Sequence, residues 1–202
     1  MIEAGFAENI TNEEIDELEL SWYKGEIVLV DTLEKFYEIF PNLLKEKVLG
    51  FDTETKPSFT KGIKHKIALI QLSTADITYL IRVNKIGISD ELISLFTDES
   101  ILKVGVAIHD DLRFLRKKKN AEAKGLVDLQ RMVTNFGIQC AGLKKLTAII
   151  LGFRISKRQQ VSDWEAPVLS DAQIIYAATD SWVCREIYFK LKNIEDNYTN
   201  TL

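Results

Sequence analysis

The apolar residues of this 202-residue chain change repeatedly between the two-residue spacing of strands and the three- and four-residue spacing of helices. In the first half, apolar runs bounded by polar residues predict strands at 27–30, 48–53, 66–73 and 77–83. Thr32 and Ser89 precede helical patterns that reach about Leu44 and Phe96, and both residues are predicted N-caps. The last two strands are separated by a tight connection at residues 75–76, which favours a meander.

The second half alternates strand and helix more regularly. A buried strand is predicted at 101–107, a helix at about 110–119, and a short strand at 126–129 that leads into a helix ending before Gly137. A further helix over 142–151 ends at Gly152, and Ser170 opens a long helix from about residue 171 to 194. A meander followed by such alternation predicts an α/β fold, with a mixed β-sheet flanked by helices.

The start of the chain differs in charge from the remainder. Residues 1–20 hold seven acids and no Lys or Arg. Thr11 and Glu14 have the spacing of a capping box, which predicts a short helix there. We therefore divide the chain into an acidic N-terminal extension with a short helix, residues 1–26, and one domain, residues 27–202. A surface helix is the simpler interpretation of this extension, and recruitment of a partner is the alternative.

The composition is that of an ordinary globular protein, with 46% hydrophobic and 28% charged residues. The net charge of −4 resides in the first twenty residues, because the remainder holds 26 basic and 23 acidic side chains. A polyanionic substrate is therefore compatible with the charge. Residues 1–10 carry no basic residue, and no apolar run approaches the roughly 20 residues of a membrane helix. We expect a cytoplasmic protein without a membrane partner.

The metal-binding side chains are almost entirely acids. Cys140 and Cys184 lie far apart without a CxxC pattern, and only His65 and His109 accompany them, so a structural zinc site is not expected. Any bound metal would be held by oxygen ligands, which favours magnesium or manganese.

Two acids end the predicted strand at 48–53. Asp52 and Glu54 are two residues apart, so both project from one face of the strand. Two converging carboxylates repel each other unless a cation or a shared proton lies between them. Alone this is a weak signal, because Asp163 and Glu165 have the same spacing in a predicted loop, where we interpret them as structural.

Asp180 and Asp111 are two further candidate acids, and each is judged by its neighbours in the sequence. Tyr176 and Asp180 lie one turn apart on one face of the last helix, and Asp180 has small neighbours. Taken alone, this pair is better explained by tight helix packing than by a function. Asp111 stands where a buried strand turns into a helix, and its neighbour Asp110 is a rival, since either acid could simply cap the helix.

Segments 51–54, 104–111 and 176–180 occur together in an order that resembles the DEDD superfamily of 3′→5′ exonucleases. A tyrosine four residues before the last acid resembles the tyrosine subclass; the sister subclass has a histidine five residues before, where this chain has Ile175. From about residue 27 to 191 the chain is similar to the exonuclease domain of the Werner syndrome helicase and the catalytic domain of ribonuclease D.

The resemblance implies a ribonuclease-H-like fold and hydrolysis with two divalent cations, Mg²⁺ or Mn²⁺. Asp52, Glu54 and Asp180 would bind the cation that activates water. Asp52 would bridge to the second cation, which Asp111 holds, and Tyr176 would orient the water. Two cations about 3.5–4 Å apart suit an in-line displacement at phosphorus. These five residues are the predicted catalytic set, and the four acids among them are the predicted metal ligands.

The predicted substrate contacts are basic. Arg113 stands where Werner-type domains carry a tryptophan, so a cation replaces a stacking contact. Lys157 and Arg158 lie in the loop before the third motif, beside the site by resemblance. Two other groups are as well explained by ordinary solvated surface: Lys61, Lys64 and Lys66, and residues 116–119 after Arg113.

Three functions are compatible with these residues. The Werner-type likeness favours an exonuclease acting on DNA, and the likeness to ribonuclease D supports RNA instead. A scaffold without catalysis is the third, and it is disfavoured because all five catalytic residues are present. Since a helicase domain has no room here, a helicase would be a separate partner; the sequence leaves the oligomeric state open.

Overall fold

The computed structural model describes residues 2, 4–58, 65–108, 112 and 121–200 of the chain. Six strands in these ranges form one sheet in the order β1-β4-β3-β2-β5-β6. Strands β2, β3 and β4 are an antiparallel meander, while β1 pairs parallel with β4, and β5 pairs parallel with both β2 and β6. The strands are β1 (Glu26–Val30), β2 (Val48–Thr55), β3 (Ile67–Ser73), β4 (Ile77–Ile81), β5 (Leu102–Gly105) and β6 (Leu126–Asp128).

Helices cover both faces of this mixed sheet, which confirms the predicted α/β class. Thr32, Ser89 and Ser170 each accept a hydrogen bond from the backbone N–H three residues onward, so the three predicted N-caps are confirmed. No helix within the described ranges is long and apolar enough to cross a membrane. The helices are α1 (Asn12–Glu17), α2 (Leu33–Leu43), α3 (Val83–Ile86), α4 (Asp90–Thr97), α5 (Leu129–Met132), α6 (Leu143–Leu146) and α7 (Asp171–Thr199). A 3₁₀ turn (Val133–Phe136) follows α5 and a π turn (Thr147–Leu151) follows α6.

Two predicted strands are shorter in the structure. Strand β5 ends at Gly105 rather than 107, because Ala107 has a left-handed φ of 58° and donates its N–H to Asp128 Oδ1 at 3.2 Å. Strand β4 ends at Ile81, where the chain turns into α3 and closes at Gly87 with φ 75°. The helix predicted at 110–119 lies outside the described residues.

Side chains alternate along β2 between the two layers of helices. Leu49 and Phe51 enter an apolar core with α2 and α4, whereas Gly50 faces α7. Two apolar clusters fill the α7 side, one of them around Trp164 and the other around Leu146, and both residues are fully buried. Helix α7 therefore lies directly against the strand that carries the first pair of acids.

The N-terminal segment runs along the α7 side of the sheet. The Ile2 N–H donates to the Asn135 carbonyl at 2.9 Å, and Leu20 forms a parallel bridge with Arg154. The Tyr23 N–H donates to Thr179 Oγ1 at 3.1 Å. The capping box of α1 is present as predicted. The division of the chain at residue 26 stays a prediction.

Candidate active site

Three carboxylates converge between the sheet and α7. Asp52 and Glu54 come from the end of β2, Asp180 comes from the buried face of α7, and one oxygen of each lies within 4.8 Å of the others. The convergence depends on close packing of backbone. A Cβ at Gly50 would overlap the carbonyl oxygen of Ser181, so only glycine lets α7 lie this near β2.

Tyr176 lies one turn before Asp180 and is 8% exposed. Its ring packs against Trp164 with centroids 5.9 Å apart. Burial, then the negative charges of Asp180 and Glu54, raise the pKa of the Tyr176 phenol. The hydroxyl is therefore protonated at neutral pH and is available as a hydrogen-bond donor.

Burial also raises the pKa of Asp180. The Tyr176 hydroxyl and the positive charge of Lys157 act in the opposite direction and stabilise the carboxylate. The structure therefore places Lys157 close enough for its charge to be felt at Asp180, as the prediction of a basic residue beside the site requires.

The three carboxylates line a pocket of about 250 Å³. Five of the predicted site residues line it together: Asp52, Glu54, Lys157, Tyr176 and Asp180. Arg158 is exposed and is not among the lining residues; its backbone N–H donates to Ser156 Oγ at 3.2 Å. Asp111 and Arg113 lie outside the described residues, as do His109 and Asp110.

Reasoning from the sequence did not predict several other lining residues, among them Lys144, Gln160 and Cys184. Cys184 had a usable signal, because it follows Asp180 by four residues and so shares its helical face. Burial raises the pKa of its thiol, so the sulfur stays neutral. Lys144 and Gln160 had none, since their places depend on how α6 and the loop before α7 pack.

The rival acid pair has a structural role. Asp163 and Glu165 lie 3.4 and 4.0 Å from Lys56 Nζ, which follows the end of β2. All three side chains are partly exposed, so these are surface ion pairs that stabilise the fold little. They link β2 to the loop before α7, in line with the structural interpretation.

The donor set fits a hard divalent cation. Asp52, Glu54 and Asp180 supply only oxygen, which Mg²⁺ and Mn²⁺ prefer. Three carboxylates this close repel one another unless positive charge or protons lie among them. The arrangement can therefore hold at least one divalent cation, which would also lower the energy of the converging carboxylates.

Comparisons with known proteins point in the same direction. A family model described as 3′-5′ exonuclease matches residues 27–195. A putative 3′-5′ exonuclease of Acanthamoeba polyphaga mimivirus is 35% identical over 170 residues, which are 76% of this chain and 42% of the relative. A ribonuclease D of Acidiphilium cryptum is 32% identical over 170 residues, covering 83% of this chain and 43% of the relative.

A solved structure shares the fold over most of the chain. The exonuclease domain of Nibbler from Aedes aegypti has a TM-score of 0.77 and 26% identity, covering 88% of this chain and 94% of that one. The match confirms the expected fold family. The chain spans less than half the length of the two curated relatives above, at 42% and 43%.

Proposed function

The chain belongs to the family of 3′-5′ exonuclease domains, and we propose that it removes mononucleotides from the 3′ end of a nucleic acid by metal-dependent hydrolysis. One observation carries this proposal: the carboxylates of Asp52, Glu54 and Asp180 converge within 4.8 Å at the end of a pocket. The buried Tyr176 beside them supports it. A scaffold would have no need to maintain three mutually repelling acids.

The three converging acids would hold the divalent cations of the reaction. Their charges match Mg²⁺ or Mn²⁺, and by family resemblance Asp111 completes the set for a second ion. Bound there, the cations would activate a water molecule and neutralise charge that develops on the phosphate. The chain's own contribution is to hold Asp52 and Glu54 on β2 and Asp180 on α7 so that their carboxylates meet at one point.

The bond changes are those of phosphodiester hydrolysis. The oxygen of water bonds to the last phosphorus, and the bond from that phosphorus to the 3′ oxygen of the preceding nucleotide breaks. The products are a nucleoside 5′-monophosphate and a shortened chain with a free 3′ hydroxyl. Tyr176, whose phenol is protonated, orients the attacking water through its hydroxyl.

Lys157 is proposed to contact a phosphate of the substrate. It lines the pocket and its charge acts on Asp180. Replacing Lys157 and Arg158 by Ala should raise KM more than it lowers kcat, because phosphate contacts position the substrate. Unchanged kinetics would discard this role for both residues. The role of Arg113 rests on the family resemblance.

DNA is the proposed preferred polymer, supported by the resemblance of the three motifs to Werner-type domains. RNA is the second candidate, because a ribonuclease D is 32% identical to the chain. The two polymers differ at the 2′ hydroxyl, and the acids do not discriminate between them. Cytoplasmic residence and a separate helicase partner stay predictions of the sequence.

Digestion of 5′-labelled DNA and RNA oligonucleotides of the same sequence tests the proposal. Each is incubated with Mg²⁺, with Mn²⁺ and with EDTA, beside an Asp52→Asn control. We expect a ladder that shortens from the 3′ end, depends on metal and is lost in the variant. No shortening of either polymer in either metal would refute the activity, and faster digestion of RNA would reverse the order of the polymers.

A further inference from the structure

The acidic helix α1 reaches the wall of the active-site pocket. Asp16 Oδ1 lies 3.6 Å from Nζ of Lys144, and Lys144 lines the pocket together with the three metal-binding acids. The Lys144 side chain is 23% exposed and that of Asp16 is 69% exposed. The ion pair therefore lies at the rim, where solvent and a substrate can both reach it.

The segment that carries Asp16 is fastened on both sides of this contact. On one side, Asn9 Oδ1 accepts a hydrogen bond from Lys145 Nζ at 2.9 Å. On the other, the Leu18 carbonyl accepts one from Arg154 Nε at 2.9 Å. Ile15 is fully buried between them. The carboxylate of Asp16 is thus held in place rather than carried on a loose tail.

Among the described residues that line the pocket, two are basic, Lys144 and Lys157. A nucleic-acid strand that enters the pocket brings phosphates, and lysines at a pocket wall are natural contacts for them. The Asp16 carboxylate is paired with the Lys144 ammonium group, which is the group that a phosphate would also contact. Carboxylate and phosphate therefore compete for one ammonium group.

We propose that Lys144 binds a phosphate of the nucleic-acid substrate and that Asp16 competes with this phosphate for it. Helix α1 then lowers the affinity for substrate without touching the metal-binding acids. This inference rests on the proposed function. It assigns a role to the acidic start of the chain, which the catalytic residues leave unexplained.

Binding of a fluorescently labelled single-stranded oligonucleotide, measured by anisotropy in EDTA, tests the competition without hydrolysis. We expect Asp16→Asn to lower Kd about twofold to fivefold at low salt, which is the scale of an exposed ion pair. Lys144→Ala should raise Kd by a similar factor. In the Lys144→Ala background, Asp16→Asn should leave Kd nearly unchanged, because the ammonium group for which carboxylate and phosphate compete is absent. In Mg²⁺, KM should follow Kd and kcat should stay unchanged.

Two matched variants separate the ion pair from the general charge of the segment. Glu13→Gln removes one negative charge from α1, Lys190→Ala removes one exposed positive charge from α7, and each leaves the Asp16–Lys144 pair and the hydrogen bonds of Asn9 and Leu18 in place. The first variant should change Kd less than Asp16→Asn does, and the second should change it less than Lys144→Ala does. The inference is overturned if Asp16→Asn leaves Kd unchanged or raises it, or if either matched variant equals its partner. Digestion of an oligonucleotide by the wild type is measured separately. A failure of the proposed exonuclease function is therefore distinguished from a failure of the proposed competition.

Discussion

The two faces of the sheet are built from the same strands and have opposite chemistry. On the α2 and α4 side, β2 and β3 present Leu49, Phe51, Ile70 and Leu72, all fully buried in one apolar core. One residue along, the same strands present Gly50, Asp52, Gln71 and Ser73 towards α7. Neighbouring residues of one strand thus face opposite sides of the sheet, so that one residue stabilises the apolar core and the next faces the candidate site.

The α7 face is also held differently. Ser73 Oγ hydrogen-bonds to Ser181 Oγ at 2.7 Å and to Thr78 Oγ1 at 2.8 Å. The first of these directional contacts joins α7 to the sheet one residue from Asp180, and the second fixes Ser73 within the sheet. The opposite face relies on shape and apolar area, which tolerate small shifts. Positioning of the acids therefore depends on backbone proximity and hydrogen bonds rather than on the larger core.

The largest expected effect is on the α7 face. Asp180→Asn should lower kcat by about 10³-fold, because loss of a metal-binding charge costs several kcal/mol of transition-state stabilisation. The metal-free protein should be as stable as the wild type or more stable, because a neutral amide replaces a buried charge. Single-turnover digestion and thermal unfolding in EDTA measure the two effects. A variant that keeps more than a tenth of kcat would contradict the assignment.

The opposite face should show the reverse pattern. Phe36 of α2 is fully buried in the apolar core, and Phe36→Ala should reduce the free energy of unfolding by about 3–5 kcal/mol. Well below the melting temperature, kcat should stay within about twofold of wild type, since Asp52, Glu54 and Asp180 lie on the other side of the sheet. Urea unfolding and kinetics at low temperature check both statements. A large fall in kcat of the folded variant would show that the faces are coupled.

Gly50→Ala tests the proximity of the two elements. The new methyl would overlap the Ser181 carbonyl, so α7 must shift away from β2. We expect a stability loss of about 1–3 kcal/mol from overpacking. Moving Asp180 by about 1 Å should lower kcat up to 100-fold. Gly125→Ala, which overlaps the Ile101 carbonyl instead, is the comparison variant and should affect kcat less. Equal losses of kcat in the two variants would argue against a specific role for the α7 contact.

The smallest effect concerns the one buried lysine of β5. Lys103 is fully buried and donates to the carbonyls of Leu95 and Asp98 at 3.0 and 2.6 Å. Burial lowers its pKa from 10.5 to about 8. Between those two values the unfolded chain holds the proton and the folded protein does not, so the contribution of Lys103 to stability rises with pH.

Comparison with Lys103→Met isolates this contribution. From pH 7.5 to 10.5 the stability of the wild type should increase relative to the variant, by at most about 3 kcal/mol. Urea unfolding at several pH values measures the difference. Two curves that stay parallel across this range would mean that the lysine keeps its proton in the folded protein.

Sequence reasoning succeeded where local rules decide the outcome. Thr32, Ser89 and Ser170 cap helices as predicted, because an N-cap needs only a side-chain oxygen and the next turn. Asp52 and Glu54 share a face because strands alternate. The two-residue spacing did not by itself distinguish them from Asp163 and Glu165, and the ordered conjunction with the other motifs did.

Sequence reasoning failed where the packing of segments distant in the chain decides which residues lie together. Nothing in the sequence near Lys144 indicates that α6 borders the pocket or that Asp16 meets it. Ala107 has a left-handed backbone that an apolar pattern does not reveal, so the predicted β5 extends two residues beyond its actual end at Gly105. Lys157 and Arg158 are adjacent in sequence, yet only Lys157 lines the pocket, because the local fold of the loop directs consecutive side chains differently.

The central claim is that the carboxylates on β2 and α7 form one metal site for hydrolysis. Crystals soaked in Mn²⁺ with a nucleoside 5′-monophosphate, measured at a wavelength where manganese scatters anomalously, test it directly. We expect anomalous peaks within coordination distance of Asp52, Glu54 and Asp180, with two peaks about 3.5–4 Å apart and Asp52 between them. The absence of any peak among these three carboxylates, in crystals that digest an oligonucleotide when dissolved, would contradict it.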